Sequence, residues 1–286
     1  MSEVRPAPAR PDPLPLPVVD NHAHLDIRRD DDGASDGLDL DGHIERLLAD
    51  ARAVGVDRVV QIGCDVRSAE ATVRMVEAHP GVLGGVALHP NEAPLHAERG
   101  DLDEAYATIE RLAQHPRIRV VGETGLDYYR TGPEGRGVQA ESFRWHIALA
   151  KQLDKVLQIH DRDAHEDVLS ILEEEGAPAT TVMHCFSGDM AMARECVRRG
   201  YYLSFSGTVT FKSARDLRNA LSVVPVEQLL VETDTPYLTP APHRGAVNAP
   251  MLVPHTVRVM ADVLNCSVAD LCRHLSTTSE KVYGPW

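Results

Sequence analysis

The sequence predicts an α/β protein of the (β/α)8 TIM-barrel class, a single domain with extra helices at its C-terminal end. Three observations carry that expectation. Short apolar, β-branched runs alternate with longer stretches of helical periodicity from Val18 onward, which is the mark of repeated βα units and a parallel sheet. The runs number eight, with no break in composition between them. No G-x-G-x-x-G occurs where a doubly wound nucleotide-binding sheet often has its first turn.

The strands are expected at "VVDNH" (18–22), "RVVQIG" (58–63), "VLGGVALH" (82–89), "RVVGETG" (119–125), "VLQIH" (156–160), "TVMHCFSG" (181–188), "YYLSFSG" (201–207) and "LLVETD" (229–234). Amphipathic stretches at 41–55, 68–81, 101–116, 139–154 and 189–200 lie between them, several ending at Gly or Pro as helix C-termini do. Two more helices follow strand eight, near 249–264 and 268–281, the second with Ser267 placed to cap it. Residues 1–17 hold six prolines at a spacing that precludes helix and central strand, so this Pro-rich tail is expected to be extended or disordered and to stand outside the barrel of 18–286. The segment "RRDDDGASDGLDLDG" (28–42) carries six aspartates and reads as a solvated connecting loop, because no Glu closes a Ca²⁺-loop pattern.

Composition excludes several classes. With 43% apolar and 25% charged residues the chain can bury an ordinary core. No apolar run approaches the roughly 18 to 20 residues that span a bilayer, and the N-terminus has no basic-then-apolar layout, so a cytoplasmic protein without membrane contact is expected. Five cysteines without a C-x-x-C pair suggest reduced thiols rather than disulfides or a thiolate zinc cluster. A net charge of -14 repels polyanions at long range, so any nucleic-acid contact must be local. No obligate protein partner is evident.

In a barrel, chemistry collects at the C-terminal strand ends. Strand one ends in His22 and His24, strand four in Glu123, strand five in His160, strand six in His184 and strand eight in Asp234. Residues i and i+2 of a strand point to one side, so H-x-H lets two imidazoles converge on a cation. Imidazole with carboxylate suits Zn²⁺ and similar divalent ions, and a bridging carboxylate accommodates a second. Any one of these histidines could equally be a hydrogen-bonded structural residue, and Glu123 and Asp234 could be paired buried acids. Six such residues all falling at strand ends makes the structural reading improbable. His43, His79, His115, His146 and His274 lie in or beside helical segments and receive no catalytic role.

These motifs closely resemble those of the TatD family of metal-dependent deoxyribonucleases. The resemblance runs from Val18 to the C-terminus through "DNHAHLD" (20–26), "LHPNEA" (88–93), "VVGETGLDYY" (120–129), "LQIHDRDA" (157–164), "MHCFSG" (183–188), "YYLSFSG" (201–207), "LLVETDTPYLTP" (229–240), "HRGAVNAP" (243–250) and "STTSEKVYG" (276–284). It implies two divalent cations, Zn, Mg or Mn. His22, His24 and Asp234 would hold the first and His160 and His184 the second, with Glu123 bridging; water activated by the pair would attack phosphorus while Asp234 takes or directs its proton. Asp26 and Cys185, beside ligands, would orient imidazoles. Cys185 as a nucleophile is disfavoured, because the motif offers it no base. The chain departs from the family pattern at Ala246 and Ala249, where Lys and Glu are usual, at Ser279 for Asn and at Thr124 for Ile or Val.

The resemblance implies 3′-5′ exonucleolytic phosphodiester hydrolysis of single-stranded DNA or DNA 3′ ends. Arg130, Arg162 and Arg244 are candidates for holding phosphates, and His89 and Tyr128 for lining the cleft. Hydrolysis of a small amide, lactone or phosphoester is the alternative, suggested by the lost lysine and the acidic charge. A non-catalytic metal-binding or docking protein, with the Pro-rich tail as another domain's ligand, is the third reading.

Overall fold

The computed structural model describes residues 8–28 and 39–286. Eight strands, Val18–Ala23 (β1), Val56–Gly63 (β2), Val82–Val86 (β3), Ile118–Asp127 (β4), Val156–Arg162 (β5), Thr181–Met183 (β6), Tyr202–Phe205 (β7) and Leu229–Val231 (β8), pair in parallel in sequence order. The last returns to the first through a bridge between Ala23 and Thr235 and through hydrogen bonds from Asp234 N to His22 O and His24 N to Thr235 O, each 2.9 Å. This is the expected (β/α)8 barrel.

Its helices are Leu40–Ala53 (α1), Val66–Ala78 (α2), Glu92–Arg99 (α3), Leu102–Ala113 (α4), Pro133–Leu153 (α5), His165–Glu175 (α6), Met190–Arg198 (α7), Arg215–Leu221 (α8), Val253–Leu264 (α9) and Val268–Tyr283 (α10). The local signals that start them are visible. Asp39 accepts from Gly42 N, Asp65 and Ser68 form a reciprocal capping box, and Ser267 caps α10 through Asp270 N as expected. Helix α5 begins at Pro133 rather than near 139, because proline at the first turn loses no intrahelical bond.

Two apolar layers hold the barrel. An inner cluster takes at least one residue from every strand (Val19, Val60, Ile62, Leu83, Val120, Val156, Val182, Tyr202 and Leu230) together with Val282 and Tyr283 of α10. The outer cluster joins the other strand faces to the helices, with Phe143, Ile147 and Val257 fully buried. Helix α10 reaches the barrel interior: Tyr283 Oη accepts from Gln158 Nε2 at 3.2 Å, and Ser279 Oγ donates to Asn21 Oδ1 at 3.1 Å.

Two expectations need correction. Residues 8–17 are extended, as their prolines require, but they are part of the fold: Leu14 is buried, its N–H donates to Val54 O at 2.9 Å, and Arg258 holds Asp12 O at 2.7 Å. A single leucine with a free N–H between prolines suffices to dock the segment. Strands β3, β6, β7 and β8 are shorter than the apolar runs suggested, so His89, His184 and Asp234 stand on the loops just past their strands. Helices α3, α6 and α8, short and weakly signalled, complete the units. Most of the acidic loop, residues 29–38, lies outside the described residues.

Candidate metal centre

Glycine makes the approach to the site possible. In "VVGETG" a Cβ on Gly122 would lie 2.6 Å from Gln158 O, and one on Gly125, whose φ is +139°, would lie 2.1 Å from His160 O. Only glycine lets β4 run this close to β5. The Glu123 carboxylate thereby reaches into the ring of histidines with 5% of its side chain exposed.

The imidazoles are set by donors and acceptors behind them. His22 Nδ1 lies 2.8 Å from Gln158 Oε1, whose amide nitrogen donates to Asn21 O and Tyr283 Oη, so the Gln158 carbonyl accepts the His22 Nδ1–H. His24 Nδ1 donates to Ile62 O at 2.9 Å. Both Nε2 atoms are thereby turned to the centre, 3.2 Å apart, where a cation or a proton can take them. Glu123 Oε1 lies 3.7 and 3.6 Å from them, and Asp234 Oδ1 3.8 and 3.4 Å. His22, His24 and Asp234 thus offer three ligand atoms to one divalent cation, with a Glu123 oxygen beside them.

The other Glu123 oxygen serves a second pair. Oε2 lies 3.0 Å from His160 Nδ1 and 3.3 Å from His184 Nε2. His160 Nε2 points instead to Asp127 Oδ2 at 3.3 Å, and His184 Nδ1 to the fully buried Glu232 Oε1 at 2.8 Å. The rings of His22 and His184 stack at 3.5 Å, which holds the two halves together.

The electrostatics are those of a place prepared for positive charge. Burial opposes charge on His24, yet hydrogen bonding to Asp234 and the fields of Glu123 and Asp234 outweigh it and push its pKa up to about 10. His160 is pushed up to about 9, against burial, by Asp127 and Glu123. His184 is raised by Glu232 and Glu123, again against burial, whereas burial and the neighbouring His184 lower His22. Glu123 is held well below the usual carboxylate range because the surrounding imidazoles outweigh its burial. Cations and protons therefore compete for the same nitrogens.

All six expected ligands come together. The expected cleft residues divide. His89, Arg130 and Arg162 line a cleft of about 460 Å³ over the centre. Tyr128 does not line it: its hydroxyl donates to Asp167 at 2.6 Å and Arg136 covers its ring, so the ring points along the surface. Arg244 is also outside the lining, stacked on Phe211 at 4.0 Å. Asp26 accepts from Gln61 Nε2, and Cys185 Sγ meets Ser206 Oγ, so neither thiol nor carboxylate orients an imidazole as expected. That work falls to Gln158, Glu232, Asp127 and the Ile62 carbonyl. Gln158 and Glu232 each sit two residues before an expected ligand, and a polar residue inside or directly after an apolar run is the signal available for both.

The TatD related DNase family matches residues 19–284. Among individual proteins, an uncharacterized metal-dependent hydrolase, TatD, of Mycobacterium tuberculosis is 46% identical over 271 residues, covering 93% of this chain and 98% of its own length. The uncharacterized metal-dependent hydrolase YabD of Bacillus subtilis is 36% identical over 267 residues, covering 93% and 98%. In structure, YjjV, a TatD homolog from Escherichia coli, superposes with a TM-score of 0.82 at 22% identity, covering 93% of this chain and 97% of that one. A TatD family hydrolase from Entamoeba histolytica gives 0.80 at 18%, covering 96% and 100%.

Proposed function

Because the chain belongs to the TatD related DNase family and is a metal-dependent hydrolase, we propose that it hydrolyses phosphodiester bonds of single-stranded DNA from the 3′ end, using two divalent cations. The observation that carries this reading is the division of Glu123, with one oxygen toward His22, His24 and Asp234 and the other toward His160 and His184. Bound divalent ions supply Lewis acidity, polarising a phosphoryl oxygen and making water a competent nucleophile near neutral pH.

The protein's own groups do the rest. Gln158, the Ile62 carbonyl, Glu232 and Asp127 fix which nitrogen of each histidine faces the centre. Asp234 is the more exposed of the two central carboxylates, 15% against 5%, and lines the cleft, so it is the group placed to take a proton from attacking water and return it to solvent. Arg130 and Arg162 hold the phosphates flanking the scissile bond, Arg162 kept in place by stacking on Tyr129 at 3.9 Å. Digestion of 3′-labelled and 5′-labelled single-stranded oligonucleotides with Mg²⁺, Mn²⁺ or Zn²⁺ tests the reading. Wild type should shorten the strand stepwise from its 3′ end and Glu123→Ala should not; equal nucleolysis by the two proteins overturns it.

A small phosphoester, lactone or amide is the second reading. It is supported by the cleft itself, where Arg130 and Arg162 are the basic residues among the lining groups and three aspartates stand beside them. Turnover of a small-molecule panel with no cleavage of DNA would select it. For the docking reading only residues 1–7 of the Pro-rich tail remain, outside the described residues, since residues 8–17 pack on this chain's own barrel.

A further inference from the structure

Cys64 stands at the C-terminal end of β2, one residue past Gly63, and none of the roles above uses it. It is two residues from Ile62, whose side chain is in the barrel interior, and Cys64 packs partly buried against that same inner cluster. Its Sγ lies 3.3 Å from Glu123 Oε1 and 3.8 Å from His24 Nδ1. Glu123 Oε1 is the oxygen that faces His22 and His24, so the thiol reaches the edge of the first cation position through Glu123.

We propose that Cys64 is a conditional ligand of that position: it enters the donor set of His22, His24, Glu123 and Asp234 around a thiophilic ion such as Zn²⁺ or Co²⁺ and stays out around Mg²⁺ or Mn²⁺. The proposal rests on the metal reading given above. Two observations support it independently. The first is a cluster of donors: His24, Cys64 and Glu123 offer ligand atoms within 4.8 Å of one another, beside a His22 Nε2 that is 3.2 Å from His24 Nε2, while both histidine Nδ1 atoms are spent on acceptors. The second is distance. A zinc-type ion with a sulfur ligand near 2.3 Å and an oxygen ligand near 2.1 Å separates the two donors by roughly 3.5 Å, close to the observed contact of Sγ with Oε1.

Ligand chemistry then sorts the ions. Thiolate is a soft donor that contributes to borderline ions and adds little to hard, oxygen-seeking ones. In the metal-free centre the thiol donates its proton to Glu123 Oε1. When the ion binds, the sulfur–metal bond forms and the S–H proton leaves to solvent, one proton per sulfur ligated. Zinc sites are four-coordinate as a rule, so the sulfur would enter in place of one of the carboxylate oxygens rather than in addition to all of them. The consequence is a centre whose metal preference is tilted toward Zn²⁺ by one residue in its wall.

Cobalt substitution tests this without reference to turnover. The metal-free protein is titrated with Co²⁺ and its visible and near-ultraviolet spectra are followed for wild type, Cys64→Ser and Cys64→Ala. Wild type should show both the visible ligand-field bands and a near-ultraviolet thiolate-to-cobalt charge-transfer band. Both variants should keep the ligand-field bands and lose the charge-transfer band, and the ratio of Zn²⁺ to Mn²⁺ affinity should fall by about tenfold or more. Ligand-field bands without charge transfer in wild type overturn the role of Cys64 and leave the metal centre standing. Charge transfer that persists in the variants assigns the sulfur elsewhere and overturns it too. No cobalt spectrum at all overturns both readings; assignment of the band to Cys64 is read from whichever of the Ser and Ala variants folds, Ser keeping the side-chain size.

Discussion

Replacing Glu232 with Gln removes one buried charge from behind the candidate metal centre while keeping the size and acceptor geometry of the side chain. Glu232 Oε1 accepts from Cys185 N at 2.9 Å and lies 2.8 Å from His184 Nδ1; an amide carbonyl can take over both contacts. What changes is the carboxylate's charge, which raises the basicity of His184 and which, at 0% exposure, no solvent screens. Groups in this position behind a metal-ligating histidine are worth roughly 10–100-fold in metal affinity, and full burial places Glu232 toward the upper end, about 2.7 kcal/mol. Folding should be little affected, because Glu232 Oε2 has no partner among the described residues and the amide exchanges one unpaired atom for another. Calorimetric titration of Mn²⁺ or Zn²⁺ into metal-free Glu232→Gln should show one of two sites weakened and the other, set by Gln158 and the Ile62 carbonyl, nearly unchanged. Unchanged affinity at both sites, or equal loss at both, refutes the reasoning.

Other expected outcomes follow from single observations. Gly125→Ala should destabilise the fold by on the order of 1–3 kcal/mol or more, since its Cβ would meet His160 O at a backbone φ of +139°; a urea midpoint equal to wild type would contradict the close approach of β4 and β5. Leu14→Ala should cost about 2 kcal/mol of stability if residues 8–17 belong to the fold, and an unaltered midpoint would return them to the status of a tail. In chelator-treated protein His24 and His160, raised to about 10 and about 9 from 6.5, bind protons more tightly folded than unfolded, so their stabilisation is complete below pH 6.5 and is lost as pH rises through 9 to 10. The melting temperature of the metal-free protein should therefore fall across that window, and a flat profile would show that these histidines are not held between Asp127, Glu123 and Asp234.

Much of this architecture is legible in the amino-acid order because the barrel repeats one rule eight times. Each strand must be apolar on its inner and outer faces, so a run such as "RVVQIG" announces itself, and a charged or imidazole side chain at its end stands out. The six convergent residues were found for that reason. Gln158, Glu232 and Asp127 are harder to see: a polar residue in an apolar run marks the first two, but which imidazole each one serves appears only when strands five, eight and four are brought beside their neighbours. Strand lengths failed for a related reason. In "TVMHCFSG" and "LLVETD" apolar character and functional residues run together, and only the geometry of the barrel mouth separates Met183 from His184 and Val231 from Asp234. Tyr128 and Arg244 were drawn toward the cleft by proximity in sequence to ligands, but a side chain after a strand end can turn along the rim, and both do, toward Asp167 and Phe211.

The pair of cations proposed to share Glu123 should be visible in anomalous diffraction from crystals grown with Mn²⁺. Two peaks are expected, one among His22, His24 and Asp234 and one between His160 and His184, each within bonding distance of a different Glu123 oxygen. A single peak away from Glu123, or none in protein that binds Mn²⁺ in solution, would contradict that pairing.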